Sequence, residues 1–283
     1  VRDIPRAIHY FTLAANQNNS EAQVNLGFIY YNSSNDCVDY NKAIHYFSLA
    51  AEQDNFTAQY NLGIIYEEGK CVFRDIKKAI HYYSLASNHY YANAQYRLGC
   101  IYMIGNHVPK DVKKGIYYLS LAANQNHPYA QFNLANIYSR GEYVQINMNK
   151  AFYLFDQSAK KGIHQAHFAL GFLYQQGQVV KKDISKSIHH YKYASSLGNL
   201  CAKNNLAIIY KLGIEGEIDK NLNLAVEYLE EVIKTKNDNV ALFNLANIYI
   251  YDIPSEENIF KSIDLLIRTE MVNFQNSKIL LTV

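Results

Sequence analysis

The chain has 283 residues, of which 49% are hydrophobic and 18% charged, so it is apolar enough to fold and long for one compact domain. Lysine and arginine (27) nearly balance aspartate and glutamate (25), and the net charge of +2 argues against a nucleic-acid-binding or anionic-membrane surface. No apolar run approaches the ~18 residues that a membrane-spanning helix needs.

A five-residue motif recurs along the chain at a constant interval. Its first copy is Leu-Gly-Phe-Ile-Tyr at residues 26–30, and its leucines lie 36 residues apart five times and then once 39 apart. Those leucines are Leu26, Leu62, Leu98, Leu134, Leu170, Leu206 and Leu245. An alanine lies four residues before each leucine. Such regular spacing predicts stacked structural repeats.

Each repeat is predicted to contain two helices. In the first, helix A, Ala22, Leu26 and Tyr30 fall on one face of a 3.6-residue spiral. In the second, helix B, Ala43 and Phe47 lie on one face in the same way. Repeats of this kind bury their apolar stripes only by stacking on their neighbours.

The predicted helix ends carry residues that suit capping. A glycine three residues after most of the motif tyrosines favours a left-handed stop to helix A. A polar column is predicted to supply the N-caps of helix B: Asp3, Asp39, Asp75, Asp111, Asn147, Asp183 and Asp219. Residue types that tolerate positive φ mark the end of helix B at Asn18, Asp54, Asn126, Gly162 and Gly198. Tyr90 interrupts that last column without an explanation in the sequence.

The second position of the motif is always glycine or alanine. Glycine inside a helix costs ~1 kcal/mol relative to alanine, so the restriction predicts close helix approach, with small residues receiving the rings of a neighbouring helix. Many of the 26 tyrosines follow the columns of Tyr10 and Tyr30. We therefore assign the tyrosine richness to packing rather than to catalysis.

These observations predict an all-α fold, a right-handed α-solenoid superhelix of antiparallel helix pairs with about seven 36-residue repeats. Residues 1–18 are the second helix of a truncated repeat, and residues 19–269 are the array, with units starting near 19, 55, 91, 127, 163, 199 and 238. Residues 270–283 are a tail or the start of another helix. Because the leading helix B needs a neighbour, we expect a monomeric array within a longer chain.

Motifs of catalysis or metal binding do not occur in the sequence. It contains no nucleotide-binding glycine-rich loop, no zinc-protease His-Glu-x-x-His, no Gly-x-Ser-x-Gly and no Cys-x-x-Cys. Four histidines share one column: His9, His45, His81 and His189. Successive copies of a helix lie ~16–20 Å apart across an intervening helix, too far to share one metal. We expect no enzyme activity, no cofactor and no metal site.

The face of helix A that points away from the Ala22 and Leu26 stripe carries the candidate binding site. In stacked pairs helix A lines the concave side, so this face should be polar. It is instead apolar and aromatic. The candidate partner-binding residues are Phe28, Tyr60, Ile64, Tyr96, Phe132, Phe168 and Phe172, flanked by Asn61, Arg97 and Asn133.

Two interpretations of these residues stay open at the level of sequence. The rings either anchor a partner segment in an apolar groove or are buried against the next repeat. The flanking amides either hydrogen-bond the backbone of an extended peptide or tie adjacent helices together, and we slightly favour the second role.

The pattern Ala-x-x-x-Leu-Gly-x-x-Tyr-x-x-Gly, followed by Asp-x-x-Lys-Ala, resembles the Sel-1-like repeat, a relative of the tetratricopeptide repeat. The resemblance covers residues 1 to about 268, and the third copy shows it best, at Ala94, Leu98, Gly99, Tyr102 and Gly105. It implies a protein–protein interaction scaffold or adaptor that binds a partner polypeptide in its concave groove.

Two alternatives accompany this implied function. One is the regulatory repeat region of a larger signalling enzyme, a protein kinase, because such arrays follow kinase domains in some single-celled eukaryotes. The other is a lumenal protein quality-control component. The cysteines are too few and scattered for a disulfide framework, so we expect the cytoplasm, with the endoplasmic reticulum lumen as the alternative. They are Cys37, Cys71, Cys100 and Cys201.

Overall fold

The computed structural model describes residues 3–33, 37–236 and 238–269. These residues form fifteen α-helices and a short π-helical segment, and the β-structure described is one isolated bridge between Ile214 and Ile218. Within each of two compact units, consecutive helices pack against one another, helix A most extensively against the helix B that follows it. The predicted all-α fold of solenoid-type helix pairs is confirmed. The predicted tail at 270–283 lies outside the described residues.

Two compact units divide the chain between Asn147 and Met148. The helices of the first unit are α1 (Ile4–Ala15), α2 (Ser20–Ser33), α3 (Cys37–Ala51), α4 (Phe56–Glu68), α5 (Ile76–Asn88), α6 (Ala92–Ile104), α7 (Val112–Asn124) and α8 (Pro128–Arg140). Those of the second are α9 (Met148–Ala159), α10 (His164–Gln176), α11 (Ile184–Ser196), α12 (Leu200–Leu212), α13 (Leu222–Thr235), α14 (Asn239–Asn247), a π-helical continuation (Ile248–Asp252) and α15 (Glu256–Arg268). Even-numbered helices correspond to helix A.

The predicted aspartate caps start several B helices. Asp75 accepts a hydrogen bond from the backbone N–H of Lys78 at 3.0 Å, and Asp111 accepts one from Lys114 at 3.0 Å. Asp3 and Asp183 cap α1 and α11 in the same way. Each side chain satisfies one amide that the first helical turn leaves unpaired.

Two members of the predicted cap column are wrong. The loop before α13 is two residues longer than its equivalents, so the cap moves from Asp219 to Asn221, which accepts from the N–H of Leu224 at 3.0 Å. Helix α3 begins at Cys37, so Asp39 lies inside its first turn rather than at the cap. A carboxylate there still interacts favourably with the positive end of the helix dipole.

Left-handed residues end the helices as predicted. Gly69, Gly105 and Gly141 follow A helices with φ between +68° and +74°, and Asn18, Asp54, Asn126, Gly162 and Gly198 follow B helices with positive φ. Tyr90 occupies the same turn after α5 and adopts φ +59°. Tyr90 therefore keeps the positive φ of the column that it interrupts in sequence, although a tyrosine side chain disfavours this conformation.

We expect Tyr90→Gly to raise the free energy of unfolding by ~1 kcal/mol, because a left-handed conformation costs a residue with a Cβ about that much. The Tyr90 side chain is 77% exposed, so little packing is lost. Urea titrations followed by circular dichroism measure the effect. The control is Tyr117→Gly, at an exposed position within α7, which should destabilise instead. A loss of stability in Tyr90→Gly would contradict the argument.

The predicted fit between small residues and rings is confirmed. A Cβ at Gly27 would lie 2.6 Å from the ring of Phe47, and one at Gly63 would lie 2.4 Å from the ring of Tyr83. Both rings are fully buried. Helix A therefore contacts the following helix B through backbone, which only glycine permits at this separation.

The motif tyrosines stack on aromatic residues of the paired helix B. Tyr66 lies parallel to Tyr82, with ring centroids 5.7 Å apart, and the Lys78 ammonium lies 5.0 Å from the centroid of Tyr66. The same arrangement joins Tyr30, Tyr46 and Lys42, and also Tyr102, Tyr118 and Lys114. Stacking and cation–π contacts thus account for these tyrosines and for the lysine of the Asp-x-x-Lys pattern.

Candidate partner-binding face

The candidate partner-binding residues lie on the A helices and are for the most part partly buried. Asn61 is buried, at 9% exposure, and Phe172 is exposed, at 46%. The half-buried members are Phe28, Tyr60, Ile64, Tyr96, Arg97, Phe132, Asn133 and Phe168. Most of these residues are therefore neither fully buried nor fully exposed. Their role in partner binding stays a prediction.

The aromatic members of the face contact the paired helix B and the start of the next helix A. The ring of Tyr60 lies 5.7 Å from that of Tyr83 and 5.1 Å, edge to face, from that of Tyr91. Tyr96 stacks on His127, with ring centroids 4.5 Å apart. Burial raises the pKa of both the Tyr60 and the Tyr96 hydroxyl. These rings are already immobilised by packing, while part of each remains accessible.

Glu67, Tyr83 and Arg97 form a closed polar network on the same face. The Tyr83 hydroxyl donates to the Glu67 carboxylate at 2.6 Å, and the Arg97 guanidinium contacts the same oxygen at 2.9 Å. Burial raises the pKa of the Tyr83 hydroxyl, and its hydrogen bond to Glu67 raises it further. Arg97 is neutralised by Glu67, so it joins α6 to α4 and α5 instead of presenting a free positive charge.

The predicted amide row mainly makes contacts within the protein. Asn61 donates to the backbone carbonyl of Thr57 at 2.7 Å, within its own helix. Asn133 reaches the thiol of Cys100, 3.9 Å away on the preceding helix A. In the second unit Asn205 donates to the Tyr191 hydroxyl at 3.0 Å. Asn133 and Asn205 thus tie helices together, whereas Asn61 does not.

Comparison with known families identifies these repeats. The model described as Sel1 repeat matches residues 1–19, 20–55, 57–91, 92–127, 128–163, 164–199 and 202–231. The chain belongs to the Sel1 repeat family. The resemblance inferred from the motif is thereby confirmed. Sel1 repeat proteins are generally protein-interaction scaffolds and are typically non-catalytic.

Two solved structures show the same architecture as this Sel1 chain. It is similar to c5321, a protective antigen present in uropathogenic Escherichia coli strains, with 29% identity, 93% of this chain and 56% of that chain covered, and a TM-score of 0.85. It is also similar to a Sel1 repeat protein from Oxalobacter formigenes, with 25% identity, coverage of 100% and 82%, and a TM-score of 0.71. The chain spans a little over half the length of c5321. No curated protein sequence matches it.

A column of buried glutamines, which the sequence analysis did not single out, joins the Sel1 repeats of the first unit. Each side chain donates to the backbone carbonyl eight residues earlier, near the end of the preceding helix B, at 3.3–3.5 Å. The four glutamines are Gln23, Gln59, Gln95 and Gln131. Their 36-residue recurrence could have revealed them. Each of these carbonyls also accepts a backbone N–H from the turn that ends the helix, so the glutamine adds a second hydrogen bond, and we assign the column to repeat stacking.

In the second unit, histidines replace the residue types that two of the columns carry in the first unit. His167 takes the glutamine position, with Nε2 3.0 Å from the carbonyl of Ala159. Its Nδ1 lies 2.9 Å from Nδ1 of His190, which stands in the column of Tyr46 and Tyr82. Burial and, to a smaller extent, the neighbouring His167 lower the pKa of His190 to about 4. The histidine pair thus forms an uncharged contact between α10 and α11.

The described part of this Sel1 array contains neither a metal-binding cluster nor a membrane-spanning helix. Within the ranges that the structure describes, no three His, Cys, Asp or Glu side chains lie close enough together to hold a metal ion. None of the helices in those ranges combines the length and the apolarity needed to cross a bilayer.

One cysteine differs from the expectation of unpaired thiols. Cys71, in the loop after α4, is disulfide-bonded, and its partner lies outside the described side chains. Cys100 and Cys201 are free. Disulfides persist mainly in oxidising compartments, and the cytoplasmic location stays a prediction.

Proposed function

We propose that this Sel1 array is a protein–protein interaction scaffold or adaptor, and that the helix-A face of its first unit binds a partner polypeptide. The observation that carries the proposal is the row of half-buried apolar and aromatic side chains on α2, α4, α6 and α8, next to hydrogen-bonding amides. The general role of Sel1 repeats as interaction scaffolds supports it.

The packing of the row suits it to binding. Rings such as Tyr60, held by Tyr83 and Tyr91, lose little conformational entropy when a partner contacts them. Aromatic side chains with partly accessible faces and a polar surround are typical of binding hot spots. Because the row repeats along successive A helices, an extended segment fits it better than a compact small molecule does.

Selection from a displayed random-peptide pool tests the proposal, followed by fluorescence anisotropy with the selected peptides. We expect Tyr60→Ala combined with Phe132→Ala to weaken binding at least tenfold. Ile64→Asn should weaken it as well, and the fold should tolerate this change because Asn136 occupies the same column. The matched control is Tyr117→Ala, an exposed ring on helix B, which should bind normally.

Thermal melts of each variant separate binding from folding. If no peptide is selected, or if Ile64→Asn binds every selected peptide as tightly as the unmodified chain, the helix-A face is not the binding site. Tyr60 and Phe132 are also packing residues, so Ile64→Asn decides the outcome if the double variant unfolds.

A second candidate, a lumenal protein quality-control component, is favoured by the disulfide at Cys71. Mass spectrometry after thiol alkylation of the protein from its native source, with and without prior reduction, tests this location. An alkylated Cys71 without reduction would support the cytoplasm instead. The kinase alternative has no supporting observation in this chain and stays a prediction.

A further inference from the structure

A cavity of about 300 Å³ lies on the helix-A side of the first unit, between α6, α7 and α8. Leu119 and Ile137 form its apolar floor, and Met103 lines one wall. Asn136 and Arg140, both on α8, lie at its rim. The cavity is on the same face as the candidate partner-binding residues.

The cavity exists because one repeat lacks a ring. In the first two pairs, Phe47 and Tyr83 cover Gly27 and Gly63. The equivalent residue of the third pair is Leu119, which covers Gly99 with a smaller side chain. Asn136 leaves further space, since its column carries larger apolar residues at Phe28 and Ile64.

The chemistry of the cavity is apolar inside and positive at the rim. Burial raises the pKa of the Cys100 thiol, which therefore stays neutral and adds to the wall. The Arg140 side chain is 68% exposed, and its contact with Glu142 is 3.9 Å long, between two solvated groups. Such an ion pair is weak, so Arg140 can pair with an acidic group of a ligand.

The surface continues beyond the cavity on one side. Ile104, 61% exposed, borders the cavity and also a second, smaller cleft that includes Ile101 and Arg74. A chain that enters the cavity can therefore run on over Ile104 into that cleft. This continuity favours the interior of a segment over a chain terminus.

We propose that this cavity is a specificity pocket, which receives one large apolar side chain of a partner segment while an acidic residue next to it in the segment pairs with Arg140. The proposal rests on the proposed function and names the partner chemistry at that site. It predicts partners that carry leucine, isoleucine, methionine or phenylalanine beside aspartate or glutamate within an extended stretch.

A short blocked peptide, acetyl-Gly-Gly-Leu-Asp-Gly-Gly-amide, is the probe, titrated into the full chain with methyl-labelled leucine and isoleucine. We expect saturable NMR shifts at the methyl groups of Leu119 and Ile137. Replacing the peptide leucine by alanine should weaken binding at least fivefold. Arg140→Gln, a change at an exposed side chain, should remove the preference for aspartate over lysine in the peptide.

The decisive variant is Leu119→Phe, which restores the ring that the first pair carries at Phe47. It places a ring on the cavity floor where the apolar side chain would enter and should keep or raise the melting temperature, while the leucine peptide binds at least fivefold more weakly. Unshifted Leu119 and Ile137 methyl groups, or equal binding to Leu119→Phe, would overturn the proposal.

The two proposals fail in different ways. If selected peptides bind Leu119→Phe normally but lose affinity for Ile64→Asn, the specificity pocket is wrong and the interaction face stands. If selection yields no peptide while the leucine probe still shifts the Leu119 and Ile137 methyl groups, the pocket stands as an apolar-side-chain site and the wider face is wrong.

Discussion

Gly27→Ala should lower the free energy of unfolding by about 1–2 kcal/mol, since overpacking a core costs ~1–3 kcal/mol and the better helix propensity of alanine offsets part of this. The added methyl group would lie 2.6 Å from the Phe47 ring, which is fully buried and in edge-to-face contact with Phe28. Because the ring is buried and packed on Phe28, relieving this overlap requires other core side chains to move. A general preference for alanine in helices predicts the opposite sign.

A double variant supplies the control. Combining Gly27→Ala with Phe47→Leu recreates the pairing of Ala207 with Leu229, which lie in one buried cluster of the second unit. Phe47→Leu alone should cost about 1 kcal/mol. The double variant should be no less stable than Phe47→Leu, because Ala207 and Leu229 pack in one buried cluster.

Urea titrations of the four proteins give the coupling between the two positions. We expect a coupling of about 1–2 kcal/mol, as found for residues in direct contact. Strictly additive effects would mean that Gly27 is required for its backbone conformation and not for the room that it leaves to the ring.

Much of the fold was predictable because the repeat presents the same physical requirement several times. A single Leu26 or Asp75 says little, but the same residue types at 36-residue intervals separate buried stripes from caps. The cap that moved, from Asp219 to Asn221, lies at an insertion, where the interval itself changes. Register arguments fail there because they take the loop length as constant.

The candidate site was less predictable, because burial depends on the facing residue of another helix. The sequence places Tyr60 and Tyr96 on the outer face of helix A but does not reveal that Tyr91 and His127 cover part of their rings. Likewise, the sequence marks Leu119 only as a core leucine. That it stands where other repeats place a ring matters only once the structure shows that it covers Gly99. The cavity arises where the repeats differ, whereas the 36-residue pattern in the sequence reveals only what the repeats share.

The histidine pair shows that two departures from the consensus can compensate each other. His167 replaces a glutamine and His190 a tyrosine, in columns that are distant in sequence. In the structure they meet, with Nδ1 atoms 2.9 Å apart, and His167 keeps the glutamine's bond to a carbonyl of the preceding helix. Because a carbonyl only accepts, Nε2 of His167 carries the proton and its Nδ1 accepts from His190.

This arrangement predicts a stability loss in the second unit as pH falls from about 6.5 towards 4. Burial, His167 and His189 together lower the pKa of His190 to about 4, against the opposing effect of Asp156. Burial also lowers the pKa of His167. A histidine whose folded pKa lies below its unfolded value, ~6.5, favours folding above that value and loses the contribution as pH falls towards the folded pKa.

The loss should amount to roughly 2 kcal/mol between pH 7 and pH 4, after allowing for the partial exposure of both rings to solvent. Carboxylates titrate over the same range, so the measurement is a difference between variants. His167→Gln combined with His190→Tyr restores the side chains that the first unit carries in these columns, such as Gln59 and Tyr82. On acidification, the free energy of unfolding of this double variant should fall less than that of the unmodified chain, and the difference should equal the loss given above.

His81→Gln is the matched control, because His81 is an exposed histidine on α5 in the first unit. Urea titrations at half-unit pH steps from 7 to 4 should give parallel profiles for His81→Gln and the unmodified chain. The profile of the double variant should diverge from both below about pH 6.5, the unfolded pKa of histidine. If all three profiles stay parallel, protons bind the histidine pair as readily in the folded state as in the unfolded one, and the contact between α10 and α11 does not depend on its being uncharged.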